Sequence, residues 1–157
     1  MTYELKGDTN NPYHLSVGAV VIKNKKIALI KKPDGYCTLP QETLFLNENL
    51  KAGLIRGIKE ELGEIVNIKK YLGSLKSYFF RPNGTKIEKT TLYFLAKATS
   101  TTKKQQQKDE LKDKILWLNK KQITERLKQS KNNETKILEK LTLYDSRNHN
   151  ITRNRAS

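Results

Sequence analysis

The sequence predicts a single α/β domain, of the α+β kind, in which a mixed β-sheet is flanked by helices. Apolar runs of strand length fill most of the first hundred residues, one amphipathic helix interrupts them, and two further helical stretches close the chain. No shift in composition divides the 157 residues, which suit one hydrophobic core. We therefore expect one domain over residues 1–145 and a flexible tail over 146–157, where apolar residues are almost absent.

Turn residues separate the predicted strands of the first third of the chain. The β-branched run 14–23 and the shorter run 27–30 are joined by a lysine-rich turn and predict two paired strands. Pro33 and Gly35 indicate a second turn, because proline restricts φ and glycine accepts positive φ. Residues 36–39 then predict a short strand, and 40–48 a loop.

The central helix is predicted over Asn49 to Leu62. Apolar side chains recur there at helical spacing, which gives the helix one face for the core, and Gly63 is a typical end signal. The apolar positions are Leu50, Leu54, Ile58 and Leu62.

The second half of the chain repeats the strand pattern and then becomes helical. Residues 65–72, 75–80 and 87–98 predict strands, the last two joined by a turn at 81–84. A polar, lysine-rich stretch over 99–114 predicts a mobile loop, and 115–118 a short buried strand. Residues 122–129 and 133–144 predict two helices.

Charge and composition narrow the class of partner. Thirty-one basic and sixteen acidic residues leave a net charge of +15, which attracts phosphate-bearing molecules such as nucleotides or RNA. A purely compositional origin of this charge stays open. No apolar run is long enough to span a membrane and the N-terminus lacks a secretion signal, so we expect a cytoplasmic protein. The single cysteine, Cys37, excludes an internal disulfide and is expected to be buried and inert.

The segment from residue 42 to 64 carries the most specific motif. It resembles the Nudix box. That box has a glycine, then five residues, a glutamate, then seven residues, and finally the run Arg-Glu-aliphatic-any-Glu-Glu-any-Gly-aliphatic. The positions that match without a gap are Glu48, Arg56, Ile58, Glu60, Glu61 and Gly63. With the neighbouring strands the resemblance covers about Leu15 to Trp117.

Three positions depart from that box. Glu42 stands at the opening glycine, Gly57 at the glutamate after the arginine, and Glu64 at the last aliphatic position. Residues 57, 60 and 61 share one helix face, because residues three and four apart are neighbours on a helix. In the family, glutamates on this face hold divalent cations. Glu60 and Glu61 remain here, and Glu42 or Glu64 is a candidate to replace the missing carboxylate.

The resemblance implies a hydrolase that uses Mg²⁺ or Mn²⁺ and acts on a nucleoside diphosphate linked to another group. It implies catalytic roles for Arg56, Glu48 and Glu60, with Glu48 and Arg56 pairing to orient the loop against the helix. The implied metal ligands are Glu60, Glu61 and an acid of the later loop, for which Glu110 is the first candidate and Asp109 the second. The main-chain carbonyl of Gln41 is a further candidate donor.

An alternative is a catalytically inactive module of the same fold that binds nucleotide or RNA, so whether the chain is an enzyme stays open. An adjacent Glu60–Glu61 pair also occurs as a solvated helix face. We expect Trp117 in the core, and His14 and His149 at the surface or in turns. Three aromatic residues are expected to pack, with base stacking as the alternative: Tyr36, Tyr78 and Phe80.

Overall fold

A mixed sheet with helices on both faces forms the framework of the protein. The computed structural model describes residues 3–102 and 112–141. Within them the sheet has seven strands, of which five follow the order β3-β2-β1-β6-β5, while β4 also pairs with β1 and β7 with β2. The β1–β6 pair is parallel and the other pairs are antiparallel. This confirms the predicted α/β class and the mixed sheet.

The elements have the following bounds. The strands are β1 (Tyr13–Lys23), β2 (Lys26–Lys31), β3 (Cys37–Thr38), β4 (Gln41–Thr43), β5 (Glu64–Phe80), β6 (Lys86–Thr101) and β7 (Lys114–Leu118). The helices are α1 (Leu50–Leu62), α2 (Lys120–Gln129) and α3, which is described over 135–141.

Alternation along β1 divides the core into two layers. Val17, Ala19 and Val21 face one side, where they pack with the apolar face of α1. Val20 faces the other side, against α2 and α3. Because successive side chains of a strand point to opposite faces, one central strand supports both helical layers. Cys37 is buried in the second layer, as expected.

Helix α1 forms where its end signals predict it. The Asn49 side chain accepts a hydrogen bond from the Ala52 N–H at 2.7 Å, which caps the start. Gly63 takes a left-handed conformation at φ 70°, and its N–H donates to the Lys59 carbonyl. These caps set the length of α1, and its apolar side chains, among them Leu54 and Ile58, decide which face meets the sheet.

Four local predictions are wrong. The predicted loop 40–48 contains β4, which pairs with β1. The two strands expected over 65–80 are one strand, because Gly73, at φ 126°, lies in an irregularity of the ladder with β6 rather than in a turn. The β7 strand is only partly buried: its alternate side chains pack against the two core layers, and β2 is the strand it pairs with. His14 lies inside β1, half-buried, rather than at the surface or in a turn.

Several predictions fall outside the described residues. They are the tail over 146–157, the rest of the helix predicted to end at 144, His149, and the loop acids Asp109 and Glu110. In the part of the chain that is described, no helix is long and apolar enough to cross a membrane.

Candidate active site

Arg56 ties helix α1 to the loop that precedes it. Its Nε and Nη2 donate to the two carboxylate oxygens of Glu48 at 2.8 and 2.9 Å, and Nη2 also donates to the Thr43 carbonyl at 3.1 Å. This two-pronged pair is a strong charge-assisted contact, and the hydrogen bond from Arg56 lowers the pKa of the Glu48 carboxyl. The guanidinium also lies 4.2 Å from the Phe45 ring centroid. Arg56 and Glu48 therefore hold the end of β4 against α1.

The remaining nitrogen of Arg56 faces two further acids. Nη1 lies 3.6 Å from Glu42 Oε1 and 3.5 Å from Glu60 Oε2. Hydrogen bonding with Glu48 is the main cause that raises the pKa of Arg56, and the charges of Glu42 and Glu60 add to it. The guanidinium thus stays charged and gathers three carboxylates, from loop, strand and helix, around one turn of α1.

Glu42 covers the place of the missing glutamate. A Cβ atom added to Gly57 would lie 2.4 Å from the Cβ of Glu42, 2.6 Å from its Cγ and 3.0 Å from its Oε2. Side-chain atoms do not approach so closely, so Gly57 leaves room that the Glu42 side chain occupies. The two departures from the box, one on β4 and one on α1, are therefore in direct contact.

A large cleft opens beside this cluster. Its volume is about 890 Å³, within the range of small-molecule sites, and both Glu42 and Glu61 line it. Glu61 is 6% exposed, on the same turn of α1 as Glu60. Four lysines also line the cleft, so phosphate groups would meet positive charge next to the acids: Lys6, Lys32, Lys89 and Lys131.

The floor of the cleft is a polar network around the buried carboxylate of Glu134. This carboxylate accepts hydrogen bonds from the Leu39 N–H at 2.9 Å, the Gln41 side-chain amide at 2.8 Å and the Tyr93 hydroxyl at 2.5 Å. The Thr38 hydroxyl and the Asn132 amide also donate to it, at 2.9 and 2.8 Å. Five donors satisfy the hydrogen-bonding capacity of this buried carboxyl group. Burial and Glu134 together raise the pKa of Tyr93, which keeps its hydroxyl protonated.

Lys89 connects this network with the cleft. Its Nζ donates to the Oε1 of Gln41, whose amide donates in turn to Glu134. Burial is the main cause that lowers the pKa of Lys89, and Lys32 adds to the effect, whereas Glu134 and Glu61 oppose it. Lys89 lines the cleft and is linked to the buried carboxylate of Glu134 through Gln41.

The other departure from the box, Glu64, has a different environment. It is buried, with Lys23 Nζ 2.7 Å from its Oε1 and the Thr101 hydroxyl donating at 3.1 and 3.2 Å. This carboxylate joins the end of β1, the start of β5 and the end of β6, and it does not line the cleft. Of the two candidates for replacing the missing carboxylate, only Glu42 lies at Gly57.

The carboxylates near Gly57 are the type of ligand that a hard divalent cation prefers, although they are not arranged around one point in this structure. Among residues 3–102 and 112–141, no three side chains of histidine, cysteine, aspartate or glutamate lie close enough together to hold a metal ion. Two observations favour binding of such a cation. The available donors are carboxylate oxygens, which Mg²⁺ and Mn²⁺ prefer, and the Glu42 side chain occupies the space beside Gly57 where the family has a glutamate side chain. To hold a cation, Glu42 and Glu60 would exchange their long contacts with Arg56 for contacts with the ion.

The structure brings together most of the residues expected from the sequence. Arg56, Glu48 and Glu60 form one cluster, and Glu61 lines the adjoining cleft, whereas Glu110 lies outside the described residues. The expectation that Tyr36, Tyr78 and Phe80 pack is wrong, because all three side chains are exposed. Tyr36 and Tyr78 line the cleft. Phe80 is 66% exposed and does not line it.

The sequence did not indicate the floor of the cleft. Glu134, Lys89 and Tyr93 come from a helix start and from β6, and hydrogen bonds between residues up to 96 positions apart connect the network. Asn132 and Glu134 read as ordinary helix-start residues, and the Asn132 side chain does accept the Glu134 N–H at 2.9 Å. That local signal says nothing about burial.

Comparison with known protein families and structures identifies similar proteins. The NUDIX domain family model matches residues 12–141. No curated protein matches the sequence significantly.

Solved structures share the fold at low sequence identity. A NUDIX hydrolase from Nitrosomonas europaea has a TM-score of 0.61 and 18% identity, over 85% of this chain and 88% of that one. An ADP-ribose pyrophosphatase from Streptococcus suis has a TM-score of 0.52 and 17% identity, over 69% and 75%. A UDP-X diphosphatase has a TM-score of 0.54 and 15% identity, over 69% of this chain and 51% of that one.

Proposed function

We propose that this chain, which belongs to the NUDIX domain family, hydrolyses a phosphoanhydride bond in a nucleoside diphosphate linked to another group. One observation carries the proposal. Glu61 of α1 and Glu42, which contacts Arg56, line a cleft of about 890 Å³ that four lysines also line. Acids for a cation and lysines for phosphates are the two kinds of group that such a substrate needs.

Mg²⁺ or Mn²⁺, when bound, would polarise the phosphoanhydride and lower the pKa of a bound water. Glu60 and Glu61 are the helix residues that would hold the ion. Arg56 positions Glu60 through the contact at 3.5 Å and is itself fixed by Glu48. Loss of either partner of the Arg56–Glu48 pair would let the loop and the helix move apart.

Lys89 and Lys32 suit the binding of phosphate groups. Both line the cleft: Lys89 Nζ donates to Gln41 Oε1, and Lys32 Nζ is 2.7 Å from Asp113. Each ammonium has three donors, of which its protein acceptor uses one. The others can donate to phosphate oxygens, so these two lysines would orient the diphosphate along the cleft.

The class of substrate is suggested by similar proteins. The structural neighbours include an ADP-ribose pyrophosphatase and a UDP-X diphosphatase, and both names describe cleavage of a nucleotide diphosphate. The volume of the cleft suits a ligand of that size. We therefore propose a nucleoside diphosphate joined to a sugar or a second nucleoside.

Turnover of a nucleotide panel tests the proposal. ADP-ribose, nucleotide sugars, dinucleoside polyphosphates and nucleoside triphosphates are incubated with the protein and Mg²⁺ or Mn²⁺, and products are separated by chromatography. We expect cleavage of at least one diphosphate compound, reduced at least about tenfold in Glu60→Gln. Glu125→Gln removes the same charge from an exposed position on α2, across the sheet from α1, and should leave turnover unchanged.

Absence of turnover with every compound contradicts the proposal. Nucleotide binding without turnover would instead support the inactive binding module. The RNA alternative rests on net charge alone, and a steep fall of RNA affinity with salt would be its signature.

A further inference from the structure

Two of the three departures from the box touch each other. The glycine expected at position 42 is a glutamate, and the glutamate expected at position 57 is a glycine. The side chain of Glu42 lies directly over Gly57, with its Oε2 3.0 Å from the point where a Cβ would stand. One residue has gained the side chain that the other lacks, at one place in the fold.

The Glu42 carboxylate lies where a carboxylate of residue 57 would lie. In a glutamate side chain the carboxylate oxygens are about 3 to 3.6 Å from the Cβ of the same residue. The Oε2 of Glu42 is at that distance from the Cβ position of Gly57. The oxygen therefore falls within the region that a glutamate at 57 would reach, although it comes from strand β4.

The surroundings keep this carboxylate at the helix face. The side chain of Glu42 is 15% exposed, and its Oε1 lies 3.6 Å from Arg56 Nη1, the nitrogen that also approaches Glu60. β4 itself is fixed by pairing Glu42 with Val17 of β1. Position 42 is thus a defined point of the sheet, from which the acid reaches the same turn of α1 as Glu60 and Glu61.

We infer that Glu42 and Gly57 are a reciprocal exchange, in which the Glu42 carboxylate takes over the role of the absent glutamate. To hold the divalent cation together with Glu61, Glu42 and Glu60 would exchange their long contacts with Arg56 for contacts with the ion. The inference rests on the proposed function. It also explains why glycine stands in the middle of α1: a side chain at 57 and the Glu42 side chain would overlap. The site is then rearranged rather than incomplete.

The exchange predicts how substitutions combine. Gly57→Glu alone places two side chains in the room for one and should disturb the site instead of improving it. Glu42→Gln keeps the shape and removes the charge. The double variant Glu42→Gly with Gly57→Glu recreates the family arrangement and should bind a cation as the wild type does.

Binding of Mn²⁺ alone is the decisive readout, because it does not depend on turnover. Free Mn²⁺ is followed by electron paramagnetic resonance during titration of wild type, Glu42→Gln, the double variant and the Glu125→Gln control, each checked for folding by circular dichroism. We expect at least about tenfold weaker binding by Glu42→Gln, and affinity close to wild type for the double variant and the control. Turnover of the substrate found in the panel should follow the same order.

The results separate this inference from the proposed function. Equal Mn²⁺ affinity and turnover in wild type and folded Glu42→Gln overturn the role of Glu42 and leave the hydrolase proposal standing. A double variant that folds but binds Mn²⁺ no better than Glu42→Gln overturns the exchange. No Mn²⁺ binding and no turnover in the wild type overturn both.

Discussion

Arg56 is the residue on which the geometry of the candidate site depends most. It makes two hydrogen bonds to Glu48, one to the Thr43 carbonyl, and two long ion pairs to Glu42 and Glu60. A lysine has no planar fork and could not make these contacts together. One guanidinium therefore sets the relative positions of loop, strand and helix, and its value for the site lies in that geometry more than in charge.

His14 supports the same region from β1. Its Nδ1 accepts the Gly7 N–H at 3.1 Å, its Nε2 lies 3.2 Å from the Thr43 hydroxyl, and the ring meets Phe79 edge-on at 5.5 Å. Burial first, and then the charges of Lys89 and other cations, lower its pKa from 6.5 to about 4. The other cations are Arg81 and Lys6. The imidazole is therefore neutral in the folded protein.

This depressed pKa predicts acid sensitivity. The unfolded chain takes up a proton on His14 near pH 6.5 and the folded chain only near pH 4, so His14 makes the folded state lose stability as pH falls between these values. In His14→Gln the loss of unfolding free energy over this range should be smaller by about 1–2 kcal/mol, a figure reduced for solvent screening because the ring is partly exposed. Urea denaturation of both proteins at pH 7 and pH 4.5 measures it. Parallel losses in the two proteins would show that His14 does not titrate in this way.

At the scale of elements, the contact between β4 and α1 is the feature that decides the site. A glycine inside a helix costs about 1 kcal/mol relative to alanine, so Gly57 is retained against helix propensity. Its close neighbour is the Cβ of Glu42, which cannot swing away as the end of a long side chain can. The two elements approach as closely as they do because residue 57 has no side chain.

A double-mutant cycle tests this approach. Gly57→Ala should lower the unfolding free energy of the wild type by about 1–3 kcal/mol, because the added methyl overlaps Glu42, in spite of its better helix propensity. In a Glu42→Gly background the same change should be neutral or stabilising. Equilibrium urea unfolding of the four proteins gives the coupling energy, and we expect at least about 1 kcal/mol. Equal effects of Gly57→Ala in both backgrounds would contradict the overlap.

Elements with local signals could be predicted from the sequence, and those that depend on distant partners could not. Asn49 and Gly63 predict the two ends of α1 from local sequence alone, and the helix begins and ends there in the structure. β4 has only three partly buried residues and owes its existence to pairing with β1. The sequence predicts two strands where β5 runs on through Gly73, because a glycine in a strand indicates a turn and an irregular ladder equally.

In the site, too, residues with local signals could be predicted and contacts between distant residues could not. The spacing of Glu48, Arg56, Glu60 and Glu61 was readable because they lie on one loop and one helix. The contact between Glu42 and Gly57 joins two elements, so the sequence could only offer Glu42 and Glu64 as equal candidates. Glu134 was missed because its donors come from separate parts of the chain.

At the scale of the whole molecule, a positively charged protein has both basic and acidic side chains lining one cleft. The protein carries a net charge of +15, and four of its lysines line the same cleft as Glu42 and Glu61. A positive field draws in a polyphosphate, while the acidic patch inside it needs a cation before the phosphates can approach closely. Substrate binding and cation binding should therefore depend on each other.

Turnover in the presence and absence of a divalent cation tests the central claim, that this chain is a cation-dependent phosphoanhydride hydrolase. The best substrate of the panel is incubated with protein treated with EDTA, and excess Mg²⁺ is then added. We predict that cleavage stops with the chelator and returns with Mg²⁺. Cleavage that continues at the same rate in EDTA, or its absence with Mg²⁺ and Mn²⁺ alike, would contradict the account.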